Sequence, residues 1–200
     1  LLDVTYVDSE NRRPRMVRSA FLIEREDRLA DRLGVQRMNI FPKRAEDIQA
    51  DHLNLTSVFQ YLIGNTDFSP ILGSNGECCH NYSMFGTDGG PLLAIPYDFD
   101  MSGFVYTPYA SPETGLGIDN VRQRLYQGFC VNNRFVEASV AEFLQARDTL
   151  YAQVANLQPL EPTVRERLAG YMDEFYETIG DPQGVEQEIF NRCIEKTGSG

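Results

Sequence analysis

The stretch that most narrows what this chain can fold into is "HNYSMFGTDGGPLLAIPYDFD", residues 80–100. Two short apolar runs flank Thr87-Asp88-Gly89-Gly90, and apolar runs joined by Asp-Gly chemistry are a strong local signal for a β-hairpin. With a four-residue turn at 87–90, facing positions sum to 177 and Asn81 lies opposite Pro96. Asp98 and Asp100 follow Pro96 in steps of two, and steps of two stay on one face of a strand. Asn81, Asp98 and Asp100 are therefore expected on one face at the open end of the hairpin. A one-residue slip would break that arrangement.

Other elements assemble around this hairpin. "LLDVTYVD" (1–8) and "RMVRSAFLIE" (15–24) alternate in part and are joined by polar "SENRRP", which reads as an antiparallel hairpin. "REDRLADRLG" (25–34) has the acidic start and terminal glycine of a short helix. Residues 35–50 read as a loop around Pro42. Leu55, Val58, Phe59 and Leu62 follow helical spacing over 53–63, and Gly64 sits where a C-terminal cap belongs. Beyond "GLGIDN", where Asp119 or Asn120 could cap, the pattern predicts helices over 121–130, 134–157, 162–180 and 184–196. A β-rich front, 1–50, and a back of loop, hairpin and helices, 51–200, make an α+β chain read as one domain. The opening reads as mid-strand, so the expectation is that a leader or further chain precedes it and that the compartment stays open.

Charge removes some functions. The 200 residues carry a formal net charge of -11, and gripping nucleic acid or anionic membrane through bulk charge needs clustered Lys and Arg. A single nucleotide held through a metal ion remains compatible, because that takes only a few local groups. No apolar run approaches the length of a membrane span. Lys43 and Lys196 are the only lysines. Cys78, Cys79, Cys130 and Cys193 lack metal-type spacing; one or two disulfides fit an exported protein and buried thiols fit an intracellular one.

Upstream of the hairpin, "YLIGNTDFS" (61–69) drives an apolar helix end into a glycine and then presents Asn65 and Asp67. If that helix delivers Asp67 to the open end of the hairpin, carboxylates and an amide oxygen meet there. That donor set suits Mg²⁺ or Mn²⁺, with substrate phosphates completing the shell. Taken alone, Asp67 reads as a solvated helix-end carboxylate, and Asp98-Phe99-Asp100 reads as a D-x-D that many glycosyltransferases also carry. His80 reads as a residue orienting the loop. Tyr82, Phe85, Tyr97, Phe99 and Phe104 read as core beneath the hairpin, while Arg122 and Arg124 are either solvated or within reach of a phosphate.

Helix, Asp loop, Asn, hairpin and Asp follow one another in the order of a protein-kinase-like C-lobe, where the loop Asp accepts the substrate hydroxyl's proton and the Asn and second Asp hold metal on the phosphates. "GNTD", "HNYSMF" and "AIPYDFD" resemble the CotH-like kinase family, the spore-coat kinases and their bacterial relatives, and more remotely the HipA-like kinases. "AFLIERED" is similar to that family's strand ending in Glu before a helix. The resemblance covers roughly residues 15–105. It implies a protein-kinase-like fold that uses ATP with Mg²⁺ or Mn²⁺, with Asp67 catalytic and Asn81, Asp98 and Asp100 at the metal. Asn65, Glu24 and a basic residue would stand toward the nucleotide. The family's nucleotide lysine and a Gly-rich phosphate loop are missing, and the Asp67–Asn81 segment is long. Arg18 is the preferred stand-in for the lysine, because it shares strand parity with Glu24. Two alternatives stay open: a non-catalytic, pseudokinase-like binding domain, and a D-x-D glycosyltransferase, which would need a parallel βαβ pattern that residues 1–63 lack. A nucleotidyltransferase would need Gly-Ser close before the D-x-D, and Gly73-Ser74 lie too far from Asp98.

Overall fold

The computed structural model of the protein describes residues 2–73 and 78–195. Strands β1 (Leu2–Tyr6) and β2 (Met16–Ala20) form the expected antiparallel hairpin, Leu2 pairing with Ala20 and Tyr6 with Met16. Asp8 organises its turn by accepting the backbone N–H groups of Glu10, Arg12 and Arg13. Helix α1 (Glu26–Leu33) ends at Gly34, which takes the left-handed conformation (φ 67) that glycine adopts without steric cost. Its Glu26 reaches the central sheet, accepting from the Ser83 hydroxyl at 2.6 Å and from Arg37 Nε at 3.1 Å.

The central sheet has the order β3–β4–β5: Gln36–Arg37, Tyr82–Gly86 and Leu93–Pro96, all antiparallel neighbours. The predicted hairpin is present, but its register differs by one residue. Tyr82, not Asn81, faces Pro96, and Phe85 faces Leu93. Leu92 explains the shift. Its N–H donates to Asp47 O (3.1 Å) and its carbonyl accepts from Gln49 N (2.7 Å), so its backbone is committed to the 47–49 segment. Pro91 beside it has no N–H to offer a ladder.

Helix α2 (Ala50–Ile63) lies between two cores. Leu53 belongs to a core with Ile48, Tyr82, Met84, Leu92, Ala94 and Phe129. Val58, Tyr61, Leu62 and Ile63 pack instead against the helices α3 (Val136–Ala155) and α4 (Pro162–Gly180), where Phe175 is fully buried. A helix enclosed on this many sides must satisfy its polar groups internally. Asn54 donates to Tyr126 Oη (3.1 Å) and accepts from Ser139 Oγ (2.8 Å), while Ser57 donates to Leu53 O.

The helix expected at 121–130 does not form. Asn120 does open a turn, its Oδ1 accepting from Arg122 N and its backbone carbonyl from Gln123 N, but the turn is not continued. Tyr126 enters the helical core and Phe129 the sheet core. Residues three apart on a helix would point the same way, so an irregular, extended path is what serves both cores. Gly128 packs directly against the Tyr126 hydroxyl, where a side chain would collide. The last predicted helix is shorter than expected, running as α5 (Pro182–Glu188) and a 3₁₀ turn at Phe190–Arg192. A Cys130–Cys193 disulfide (Cα–Cα 5.0 Å) closes this end, and Cys78 and Cys79 are joined as neighbours. Among the described residues no helix is long and apolar enough to cross a membrane.

Candidate functional site

Asp67 is positioned from behind by α2. Gly64 ends the helix in the left-handed conformation (φ 60), turning the chain so that Asn65 folds back on it. Asn65 is 1% exposed: its Nδ2 donates to Gln60 Oε1 (3.0 Å) and its Oδ1 accepts from Asp67 N (3.1 Å). Gln127 Nε2 holds the intervening Thr66 carbonyl at 3.2 Å. Asn65 thus braces the loop, and what it fixes is the direction of Asp67.

In front, both Asp67 oxygens are engaged. His80 Nε2 lies 2.9 Å from Oδ1, and Asn81 Nδ2 donates to Oδ2 (3.1 Å) and to the Asp67 carbonyl (2.7 Å). Asn81 is 8% exposed. Because its amide nitrogen turns to Asp67, its Oδ1 is the end left for another ligand. Across the hairpin mouth Tyr97 N donates to Asn81 O at 3.0 Å, which sets Asp98 one residue from Asn81's partner. Asn81 (φ 57) and Asp98 (φ 56) are both left-handed, a conformation that Asn and Asp accept more readily than other side-chain-bearing residues. Non-glycine residues held there recur at functional sites.

Strand parity therefore does not align these residues as the sequence implied. β5 stops at Pro96, so Asp98 and Asp100 lie beyond the pleat. Asp98 is exposed and makes no hydrogen bond among the described residues, whereas Asp100 Oδ2 accepts from Tyr109 Oη at 2.8 Å. The pairing of Arg18 with Glu24 fails for the same reason: β2 ends at Ala20, and Glu24 lies in the linker, bound by Arg32 Nη2 at 2.7 Å. That guanidinium holds the Glu24 carboxyl below its ordinary range. Among the described residues the Arg18 side chain donates only to the neighbouring Val17 carbonyl, at 3.0 Å. Tyr97, read from sequence as core, is 49% exposed, while Tyr82 and Phe85 are buried as expected.

No group of three or more His, Cys, Asp or Glu placed to hold a metal occurs among the described residues. The Asn81 amide oxygen and the Asp98 carboxylate are hard oxygen donors on residues linked across the hairpin mouth through the Tyr97 N–H. Their number fits a Mg²⁺ whose shell is completed by phosphates and water rather than by a protein cage.

The sequence pattern missed three supports: Gln127 on the Thr66 carbonyl, Tyr109 on Asp100, and Glu26 on Ser83. Gln127–Thr66 and Glu26–Ser83 join segments 61 and 57 residues apart, and Tyr109–Asp100 spans nine residues of irregular chain, so no helix or strand pattern announces them. Comparison with protein-family models, with curated proteins and with solved structures returns no match.

Proposed function

We propose that the chain is a metal-dependent, kinase-like phosphotransferase that uses ATP or another nucleotide to modify a hydroxyl on a protein or small molecule. The observation that supports this best is the Asn81 side chain. It grips Asp67 with its nitrogen while its backbone carbonyl receives the hairpin residue next to Asp98. In this reading Asp67 is the proton acceptor and Asn81 with Asp98 holds Mg²⁺ or Mn²⁺. The metal would supply neutralisation of charge on the nucleotide phosphates. The acceptor O–H gives its proton to an Asp67 oxygen, and the hydroxyl oxygen bonds to the γ-phosphorus. The bond to the β-phosphate bridge oxygen breaks, leaving the nucleoside diphosphate. His80 and Asn81 keep the carboxylate oriented through the two hydrogen bonds it accepts, and each oxygen retains a lone pair for the incoming proton.

A second reading, a kinase-like binding domain without catalysis, is favoured by one observation. Glu24 is occupied by Arg32, and among the described residues the Arg18 side chain meets only its neighbour's carbonyl, so neither is arranged to hold a nucleotide. Thermal-shift measurements with ATP and Mg²⁺ or Mn²⁺ decide between them. The transferase reading expects metal-dependent stabilisation in wild type, loss in Asp98→Ala, and retention in Asp67→Asn, since a ligand that binds only the folded state must raise its stability. In Asp67→Asn, transfer should then fall about 10²- to 10⁴-fold, the range for a lost general base. No shift in the folded wild type refutes the reading in favour of the binding domain.

A further inference from the structure

Behind the candidate site the structure builds an alternating ladder of arginines and tyrosines. Arg124 lies 3.6 Å from the Tyr171 ring centre, and Arg122 covers the same ring at 4.7 Å. Arg122 also approaches the Tyr106 ring, at 5.5 Å, and Arg167 approaches Tyr106 at 5.9 Å. The ladder runs from inside to outside. Its inner rung, Arg124, is 8% exposed and satisfied, donating to Glu174 at 2.8 Å and to the Leu62 and Tyr171 carbonyls. Its outer rungs differ. Arg122 is half-buried, Arg167 is exposed, and neither guanidinium has a carboxylate partner or hydrogen-bond acceptor among the described residues. In a chain of net charge -11, two unpaired guanidiniums held against one exposed tyrosine form a local positive face.

The same ladder is tied to the loop that carries Asp67. The Tyr171 hydroxyl packs against Gly64 and Gly103, so closely that a side chain at either would collide with it. Gly103 N donates to Gly64 O (3.0 Å) and Phe104 N to Ile63 O (2.9 Å), fixing the segment between Asp98 and Tyr106 to the end of α2. Gly64 precedes Asp67 by three residues, about 11 Å of chain at most. Tyr106 itself is left-handed (φ 55), held by its N–H to Ser102 O at 2.8 Å. Aromatic stacking leaves guanidinium N–H groups at the ring edge free to bind oxyanions in a forked geometry.

We propose that Arg122, Arg167 and Tyr106 form the subsite that recognises an oxyanion, carboxylate or phosphate, on the acceptor next to the hydroxyl to be modified. Its role as acceptor recognition rests on the phosphotransferase reading; its ability to bind an oxyanion does not. The test is fluorescence anisotropy at low salt with two labelled peptides, octaglutamate and a neutral octapeptide carrying one phosphoserine. The two arms distinguish carboxylate from phosphate. Wild type should bind at least one of them, and Arg122→Gln/Arg167→Gln should weaken that binding at least tenfold. Arg28→Gln, which removes one positive charge from exposed α1 and so matches the single Arg167→Gln variant, should change it less than twofold. Should Arg122→Gln impair folding, the exposed Arg167→Gln alone should still cost about threefold. Equal loss in Arg28→Gln, or unchanged binding in the double variant, overturns the subsite. The ATP thermal shift separates the two ideas: peptide binding that depends on Arg122 and Arg167, without any nucleotide shift, keeps the oxyanion subsite and sinks the transferase.

Discussion

Replacing Cys130 and Cys193 together by alanine should cost the protein about 4 kcal/mol. The bridge spans a sequence separation of 63 residues and encloses α3, α4 and α5 entirely. In the chain-entropy description, closing about 63 residues removes about 14 cal/mol/K from the unfolded ensemble, or about 4 kcal/mol at 25 °C. The folded state does not rely on the bridge for its local geometry. Cys130 N donates to Ile194 O (3.0 Å) and Ile194 N to Gly128 O (2.8 Å), so two backbone hydrogen bonds keep the tail docked once the sulfurs are gone. The loss should accordingly come through the unfolded state. Urea denaturation followed by circular dichroism is the assay. The double variant should lose about 4 kcal/mol out of a total of about 5–15 kcal/mol and expose more surface on unfolding, seen as a larger slope with denaturant. The double variant is preferable to a reductant, which would also open the Cys78–Cys79 link. A loss under about 1 kcal/mol with an unchanged slope would refute the reasoning, as would four titratable thiols in the unreduced wild type.

Three further outcomes are expected. Gly64→Ala should cost about 3 kcal/mol in urea unfolding, from a left-handed alanine plus a collision with the Tyr171 hydroxyl, whereas Gly34→Ala, equally left-handed but with open space around it, should cost only about 1. Glu26 gives a pH signature: the Ser83 hydroxyl first, and then Arg37, hold its carboxyl below 4.5 against some desolvation. That stabilisation is complete above the unfolded value and is lost as pH falls through the lower folded one. Glu26→Gln should therefore flatten the acid limb of stability below about pH 4.5 while costing under about 1 kcal/mol at pH 7, as befits a half-exposed pair. Asn81→Gly should keep the left-handed backbone but lose the grip on Asp67. Asn81→Ala should be about 1 kcal/mol less stable than the glycine variant, and both should lose the ATP-dependent thermal shift; a wild-type shift in Asn81→Gly would exclude its amide as a ligand.

Helices were legible where their ends were written locally. Gly34 and Gly64 both stop helices in the left-handed conformation, and Pro162 opens α4 at its first turn, so α1, α2 and α4 lie where periodicity places them. The 121–130 segment carried a helical pattern too, but its apolar residues serve two separate cores. A window of ten residues cannot say that Tyr126 will meet Asn54 while Phe129 meets the sheet. The hairpin was legible as a hairpin. Its register was decided by Leu92 pairing with residues near Ile48, more than forty positions away.

That slip ought to have scattered the candidate residues, since one step moves every side chain on a strand to the opposite face. For Asn81 and Asp98 the rule does not hold, because neither lies within the pleat. β4 begins at Tyr82 and β5 ends at Pro96, and the backbone turns left-handed at both candidate residues just outside the strands. What joins them is the Tyr97 N–H donating to the Asn81 carbonyl, a single bond at the open end of the hairpin. Strand parity does not apply to residues outside the pleat. Asn and Asp are the oxygen donors a phosphate-bound metal needs, and they are also the side-chain-bearing residues that best tolerate a left-handed backbone. At a strand end, one chemical choice can therefore both bend the chain and present oxygen donors at its surface.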